Sequence, residues 1–483
     1  MKNYDIIVIG SGGGAKIVSP AARLGLKVAV IEKEALGGTC LNRGCIPSKM
    51  LIHPADVAIA IREAKKFDLH VEGDLAVDFS RLITRISQTV DGDSQKIAIG
   101  YQKNPNIDFY HTEGRFVANK TIRVDETTIS ADKIFLAVGA RPRIPPIPGL
   151  TGTPFMTSTK ALRNTRLPKS MVVVGGGLIA VELGHAYGAF GTDVHFLVRH
   201  RLLPREDAEL AEEFSRIFSK AHHVHLGVVP GGVEFSQDRF TISYQNTQGQ
   251  NNKITVEALL VATGVMANTD QLGLETTDIK LNEQGFIQVD DYLQTSVKDV
   301  YALGDCTGRY LYRHSVNFEG EHLMRTLFIE KSPQAIRYPP MPHAVFTHPQ
   351  VAGVGKTEEE LKKEGVDYVV GLNPYAKSAM GMARLSDHGF VKILIERKNR
   401  KILGAHIVGD EASDMIHMII ALMTKDGTLD DLLNMIYIHP SLPEIVRNAA
   451  RNAYGELKQN HNNQIPNSKQ STIPNDQNSK HRR

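Results

Sequence analysis

A short apolar run that breaks directly into glycines occurs twice in this chain of 483 residues. Ile6-Ile7-Val8-Ile9 leads into Gly10-Ser11-Gly12-Gly13-Gly14-Ala15, and Met171-Val172-Val173-Val174 leads into Gly175-Gly176-Gly177-Leu178-Ile179-Ala180. A continuous apolar run suits a parallel strand buried on both faces. Glycines at its end permit a tight turn into a helix whose first amides face an anion. In the first copy Gly10 makes the turn, Gly12 admits a pyrophosphate to the helix N-terminus, and Ala15 takes the packing position. The next strand, Val28-Ala29-Val30-Ile31, ends on Glu32, about 20 residues on, where a carboxylate bonds a ribose hydroxyl. A dinucleotide-binding βαβ unit is predicted here.

The second copy has Gly175 and Gly177 in the same places, then Glu182 and a strand Val194-His195-Phe196-Leu197-Val198. Val198 stands where Glu32 stood, Arg199 follows it, and Arg205 lies six residues further on. Loss of the carboxylate and gain of two guanidiniums selects a 2′-phosphate, which makes NADPH the expected ligand. The plainer alternative is a solvated basic turn. Each unit closes on a buried strand ending in small residues, Ile134 to Ala140 in the first and Leu259 to Gly264 in the second. The Pro-rich stretch from Arg141 to Pro148 reads as the linker between them. A later apolar strand, Val300-Tyr301-Ala302-Leu303-Gly304-Asp305, ends on a carboxylate fit for a sugar-like chain, and Cys306 beside it is expected to pack rather than react.

Two of the chain's three cysteines lie in Cys40-Leu41-Asn42-Arg43-Gly44-Cys45-Ile46-Pro47-Ser48-Lys49. A disulfide needs Cα atoms roughly 4.4–6.8 Å apart, so the segment must turn; Gly44 makes that easy, and Pro47 suits the first turn of a helix. Cys45 then sits at a helix N-terminus, where the dipole favours thiolate, and Lys49 falls one turn later on the same face. A structural disulfide or two inert thiols is the bland alternative.

From about residue 337 the texture changes to strands such as Val391–Ile395 and Ile402–Val408, with helical stretches around Met415–Met423 and Glu444–Tyr454. Between those helices, His439 precedes Pro440, and Glu444 follows five residues on. An imidazole–carboxylate pair there raises the basicity of the His and fixes its tautomer, although such a His also serves as a plain structural hydrogen-bonder. The Asn/Gln/Ser/Lys-rich end from about Gln459 has no apolar period and is expected to be disordered.

The totals narrow the remaining classes. Net charge is +3 with 42% hydrophobic and 23% charged residues, which points to neither a nucleic-acid nor a membrane partner. No apolar run reaches the roughly 18–20 residues that span a bilayer. Few cysteines, two of them in a redox-type motif, fit a reducing cytoplasm. No metal site is assigned.

Two dinucleotide units, a Cys-x4-Cys after the first, and a late His-Pro-x-x-x-Glu together resemble the class I pyridine nucleotide–disulfide oxidoreductases. Tyr310–His314, Asn104–Asp108 and Ile438–Glu444 resemble the mycothione reductase and dihydrolipoamide dehydrogenase branch, whereas the absence of a cysteine after Cys306 argues against mercuric reductase. The resemblance implies an α/β fold with two Rossmann-like domains, for FAD and NAD(P), plus a C-terminal α+β dimerisation domain. The implied boundaries are 1–148 and 271–336 for the FAD domain, 149–270 for the NAD(P) domain, 337–457 for the interface domain and 458–483 for the tail. It implies that Gly10, Gly12, Glu32, Lys49 and Asp305 contact FAD, and that Gly175, Gly177, Glu182, Arg199, Arg205 and Gly264 serve the nicotinamide nucleotide. Cys45 becomes the thiol against the flavin, Cys40 the one that exchanges with a small disulfide, and His439 with Glu444 acts on the other subunit's cysteines in a homodimer. The expected activity is reduction of a small disulfide by NADPH, as in cell redox homeostasis, with NADH possible. The alternatives are NAD+-linked dihydrolipoamide oxidation, a flavin-only oxidase or quinone reductase, and a non-catalytic flavoprotein. Arg199 and Arg205 depart from the acidic strand end of dihydrolipoamide dehydrogenases.

Overall fold

The computed structural model describes residues 2–73 and 75–463. Both glycine units fold as read. In the first, β1 (Lys2–Ile9), α1 (Ala15–Arg23), β2 (Val28–Ile31), α2 (Gly38–Arg43), α3 (Cys45–Glu63), α4 (Phe79–Gln102) and β3 (Ile107–Tyr110) precede β4 (Gly114–Ala118), β5 (Thr121–Val124) and β6 (Thr127–Leu136). The sheet order is β3-β2-β1-β6-β5-β4, parallel from β3 to β6 and antiparallel beyond. Ile6, Ile7 and Val8 have no exposed surface, because α1 covers one face and the β4–β6 side the other.

The second unit follows as β7 (Ala140–Pro142), α5 (Ser158–Ala161), β8 (Ser170–Val174), α6 (Leu178–Ala189), β9 (Asp193–Val198), α7 (Ala208–Phe218), β10 (His223–Leu226), β11 (Pro230–Ser236), β12 (Arg239–Gln245), β13 (Asn251–Val256), β14 (Ala258–Val261) and β15 (Val265–Ala267). Its parallel sheet has the order β10-β9-β8-β14, and the antiparallel β11-β12-β13 lies over one face, where Val172, Leu197, Phe240 and Leu259 pack. The expected Pro-rich linker is more ordered than a linker: β7 pairs antiparallel with β15, so the chain's way out of the first unit and its way back form one ribbon.

The chain then returns to the first sheet, where β16 (Val300–Ala302) pairs parallel with β6. After α8 (Arg313–Met324) come β17 (His343–Val345), β18 (Gln350–Gly355), α9 (Glu358–Glu364), β19 (Tyr368–Pro374), α10 (Ala379–Ala383), β20 (Phe390–Glu396), β21 (Ile402–Gly409), α11 (Ala412–Met423), α12 (Leu429–Asn434) and α13 (Pro443–Asn463). The antiparallel sheet β17-β18-β21-β20-β19 has α11 and α13 against it. Helix α13 runs to Asn463, so the start of the segment expected to be disordered is helical; the remainder lies outside the described residues. No helix of the described residues is long and apolar enough to cross a membrane.

One buried charge cluster sets the C-terminal layer against the nucleotide unit. Lys392 on β20 is 1% exposed and donates to Asp207 at 2.9 Å and Glu358 at 2.6 Å, with Glu209 at 3.0 Å. Asp207 stands immediately before α7 and Glu358 begins α9, so one ammonium ties three elements.

Candidate active site

Helices α2 and α3 are separated only by Gly44, and Cys45 is the first residue of α3, as the sequence predicts. A Cβ at Gly44 would stand 2.9 Å from the Thr39 carbonyl oxygen, so glycine is what lets the two helices meet so closely. Both cysteines are free thiols, Cys40 half-buried and Cys45 exposed. The Cys40 thiol hydrogen-bonds to Cys45 and so favours the Cys45 thiolate; burial opposes this and Lys49 supports it, leaving Cys45 lowered to about 7. The same hydrogen bond, aided by burial, pushes Cys40 well above the usual thiol range. The pair is therefore polarised, with one sulfur ionised near neutrality and the other protonated.

Lys49 is itself held in place. Its ammonium lies 2.9 and 2.8 Å from the two oxygens of Glu182 and 4.4 Å from the centre of the Phe346 ring. Glu182 also accepts the Phe346 backbone N–H at 3.0 Å. Burial raises the Glu182 carboxyl and Lys49 works against that rise. Glu182 sits on α6 of the second unit and joins it, through Lys49, to α3 of the first.

The first glycine loop has the form of a phosphate cradle. Gly10, at φ +97°, would place a Cβ 2.3 Å from the Ala137 carbonyl oxygen, and a Cβ at Gly12 would meet Gly38 Cα at 3.4 Å. Beside the expected Ala15, Gly14 is also a tight position: its Cβ would stand 2.2 Å from the Gly10 oxygen and 2.5 Å from a Val8 methyl. Glu32 is anchored beside the loop: it accepts from the Ser11 N–H at 2.9 Å, the Ser11 hydroxyl at 2.8 Å and the Glu34 N–H at 3.0 Å. Burial raises the Asp305 carboxyl to about 6, and no side chain among the described residues forms an ion pair with it. A desolvated carboxyl that lacks a partner fits the hydroxyls of a bound FAD, as the cradle fits its pyrophosphate.

In the second unit Gly175, at φ +133°, packs as Gly10 does, its Cβ position 2.3 Å from the Ala262 oxygen. Gly177, which precedes α6, and Gly264 have nothing within 4 Å of a Cβ, so both face open space where a dinucleotide backbone fits. Arg199 follows the last residue of β9 and Arg205 the loop after it; both are exposed, and neither is paired with a carboxylate among the described residues.

His439 and Glu444 form the expected pair, Nδ1 lying 3.0 and 3.2 Å from the carboxylate oxygens. Burial acts to raise Glu444, but the Ser441 N–H, His439 and Arg447 outweigh it and hold the carboxyl below its usual range. The Glu444 side chain is 6% exposed and that of His439 is 71% exposed, so the imidazole is held from behind and presented outward. Helix α13 packs on β19, β20 and α12, and no hydrogen bond or ion pair among the described residues joins His439 to the cysteine segment of its own chain.

Several contributors were not singled out in the sequence. Ser11 orients Glu32 and also accepts the Gly37 N–H at 3.0 Å, and Phe346 closes around Lys49. Arg313, at the start of α8, reaches within 4.0 Å of a Cβ position on Gly12 and lowers the Cys40 thiol electrostatically. Its position at a helix start after the Gly-Asp strand end was the available signal. Cys306 is buried and donates to the Leu303 and Leu136 oxygens at 3.3 and 3.5 Å; burial pushes it up to about 12, which suits packing.

The profile of the pyridine nucleotide-disulphide oxidoreductases matches residues 4–325, and that of their dimerisation domain matches residues 341–450. The chain is 35% identical over 471 residues to mycothione reductase of Mycobacterium tuberculosis, covering 93% of this chain and 99% of that protein. It is 34% identical over 457 residues to dihydrolipoyl dehydrogenase of Chlorobaculum parvum, covering 92% and 96%. Among solved structures it is similar to the HOCl-induced flavoprotein disulfide reductase RclA from Escherichia coli, with a TM-score of 0.82 and 28% identity over 94% of this chain and 99% of that one.

Proposed function

The chain belongs to the pyridine nucleotide-disulphide oxidoreductases, which use FAD and NAD(P)H, and from that premise we propose that it is an NADPH-linked reductase of a small disulfide, working as a homodimer with shared active sites. The observation that carries the reading is the polarised cysteine pair, with Cys45 lowered to about 7 beside a protonated Cys40. Gly10, Gly12, Glu32 and Asp305 would hold FAD, which when bound would supply two-electron chemistry between the nicotinamide nucleotide and the Cys40–Cys45 pair.

The remaining steps belong to the chain's own side chains. The partner's imidazole, His439 steadied by Glu444 in each subunit, takes the Cys40 proton, and the Cys40 thiolate attacks one sulfur of the substrate disulfide. A mixed disulfide forms, and the leaving thiolate takes the proton back from the imidazolium. Cys45 thiolate then attacks the Cys40 sulfur, closes the internal disulfide and releases the second half of the substrate as a thiolate, which takes its proton from solvent. Lys49, positioned by Glu182, favours the thiolate that performs this second attack. Arg199 and Arg205, without carboxylate partners among the described residues, would receive a 2′-phosphate after β9. The scarcity of cysteine fits this chemistry to a reducing cytoplasm.

A second reading, NAD+-linked oxidation of dihydrolipoamide, is favoured by the similarity to dihydrolipoyl dehydrogenases. Steady-state rates with NADPH and NADH against lipoamide, glutathione disulfide and other small disulfides separate the two. We expect strong NADPH preference, and Arg199→Glu should lower kcat/KM for NADPH by about tenfold or more while sparing NADH. Fastest turnover as NAD+-linked dihydrolipoamide oxidation would overturn the proposal.

A further inference from the structure

We propose that Asp193, His195 and His223 form a binding site for a borderline divalent transition ion, Zn2+ or Cu2+ in class, at the edge of the NAD(P)-domain sheet. The strands build it. His195 on β9 and His223 on the parallel edge strand β10 are register partners, so both side chains leave the same face, and Asp193 shares that face two residues earlier on β9. Asp193 lies 3.4 Å from His195 Nε2 through one oxygen and 3.2 Å from His223 Nε2 through the other. One ligand atom from each of the three residues lies within 4.8 Å of the other two. A tetrahedral site with bonds of about 2.0–2.2 Å sets its donors roughly 3.3 Å apart; the two Asp193–imidazole distances match this, and a small turn of the exposed Asp193 and His223 side chains brings the set, already within 4.8 Å, onto one ion.

The surroundings fix the buried donor, while the His223 ring stacks on that of His195 with 4.4 Å between centroids. His195 Nδ1 lies 3.3 Å from His225 Nε2, and His225 Nδ1 lies 3.4 Å from the Tyr244 hydroxyl on β12. Donation outward along this chain, from His195 to His225 to Tyr244, leaves the His195 Nε2 lone pair facing Asp193. His195 is mostly buried and fixed, while Asp193 and His223 are more than half exposed and have room to turn toward one ion from solvent. Two imidazoles and one carboxylate select Zn2+ or Cu2+ over Mg2+ and Ca2+. The site stands at the N-terminal ends of β9 and β10, whereas Gly175, Gly177 and Arg199 stand at the C-terminal end of the sheet. A bound ion therefore ties the edge strand to its neighbour without touching the nucleotide.

Calorimetric titration of the oxidised holoenzyme with ZnCl2 tests the assignment, since closing the Cys40–Cys45 disulfide removes those thiols as competing ligands. We expect one Zn2+ per subunit, undisturbed by Mg2+, with His223→Gln and Asp193→Asn each weakening it about tenfold or more. Cu2+ bound in its place should show coupling to two nitrogens by electron paramagnetic resonance. Absence of uptake by the wild type, or equal uptake by both variants, would overturn the proposal.

Discussion

At the scale of single residues the chemistry depends on which sulfur is ionised at a given pH. Cys45 is lowered to about 7, chiefly by the Cys40 hydrogen bond and further by Lys49. Below that pH Cys45 is a thiol and cannot close the internal disulfide; above it the thiolate is present and the rate levels off. Reduced protein should therefore show its ultraviolet thiolate absorbance rising through pH 7, and Lys49→Met, which removes the ammonium, should move that rise to higher pH. An unmoved titration would exclude Lys49 as the stabilising charge. His439→Gln removes the proton carrier but none of the nucleotide contacts. It should lower kcat for disulfide reduction by roughly 100-fold and leave the KM for NADPH unchanged. These residues were legible in the sequence because their chemistry is local: two sulfurs around one glycine, and a carboxylate five residues after an imidazole. The Asp193, His195 and His223 cluster was not, since it exists only once β10 pairs with β9.

At the scale of elements, glycines of the same motif have different tasks. Gly14→Ala drives a methyl into the Gly10 carbonyl and Val8, so it should destabilise the first unit and impair flavin retention. Gly177→Ala meets nothing within 4 Å and sits at φ −86°, so the protein should fold normally while the KM for NADPH rises. Equal thermal stability of the two variants would contradict this division. Motif spacing revealed both loops, yet not the tight fit of Gly14, which depends on how closely the Gly10 carbonyl and Val8 approach it. The Lys392 cluster was invisible for a different reason: Lys392 and its partners come from three distant segments. Lys392→Met leaves fully buried Asp207 uncompensated and should cost about 3–5 kcal/mol by chemical denaturation. Burial works against ionisation of Glu358, but Lys392, Lys362 and Tyr368 hold it at about 2, against 4.5 in the open chain. A lowered carboxyl stabilises the fold above the unfolded value, so this contribution should be lost as pH falls from about 4.5 to about 2.

At the scale of the whole molecule, the cysteine pair and the imidazole–carboxylate pair stand on separate units of the chain. The cysteine pair belongs to the first unit and the His439–Glu444 pair to the far end of the C-terminal layer. Around His439 the surface is apolar and open, with Ile436 100% exposed and Ile438 81% exposed, which suits coverage by a second subunit. The two glycine units and the His-Glu motif were readable from the sequence, but the outward presentation of His439 required the packing of α13 on β19 and β20. The most direct measurement uses mixed dimers of Cys40→Ser and His439→Gln subunits, purified with two different tags and assayed for NADPH-dependent reduction of a small disulfide. If each site joins one subunit's cysteines to the other's imidazole, the mixed dimer keeps one intact site and should recover about half of the wild-type rate, while both parent homodimers stay at about one hundredth of it or below. A mixed dimer as inactive as its parents would contradict the shared site.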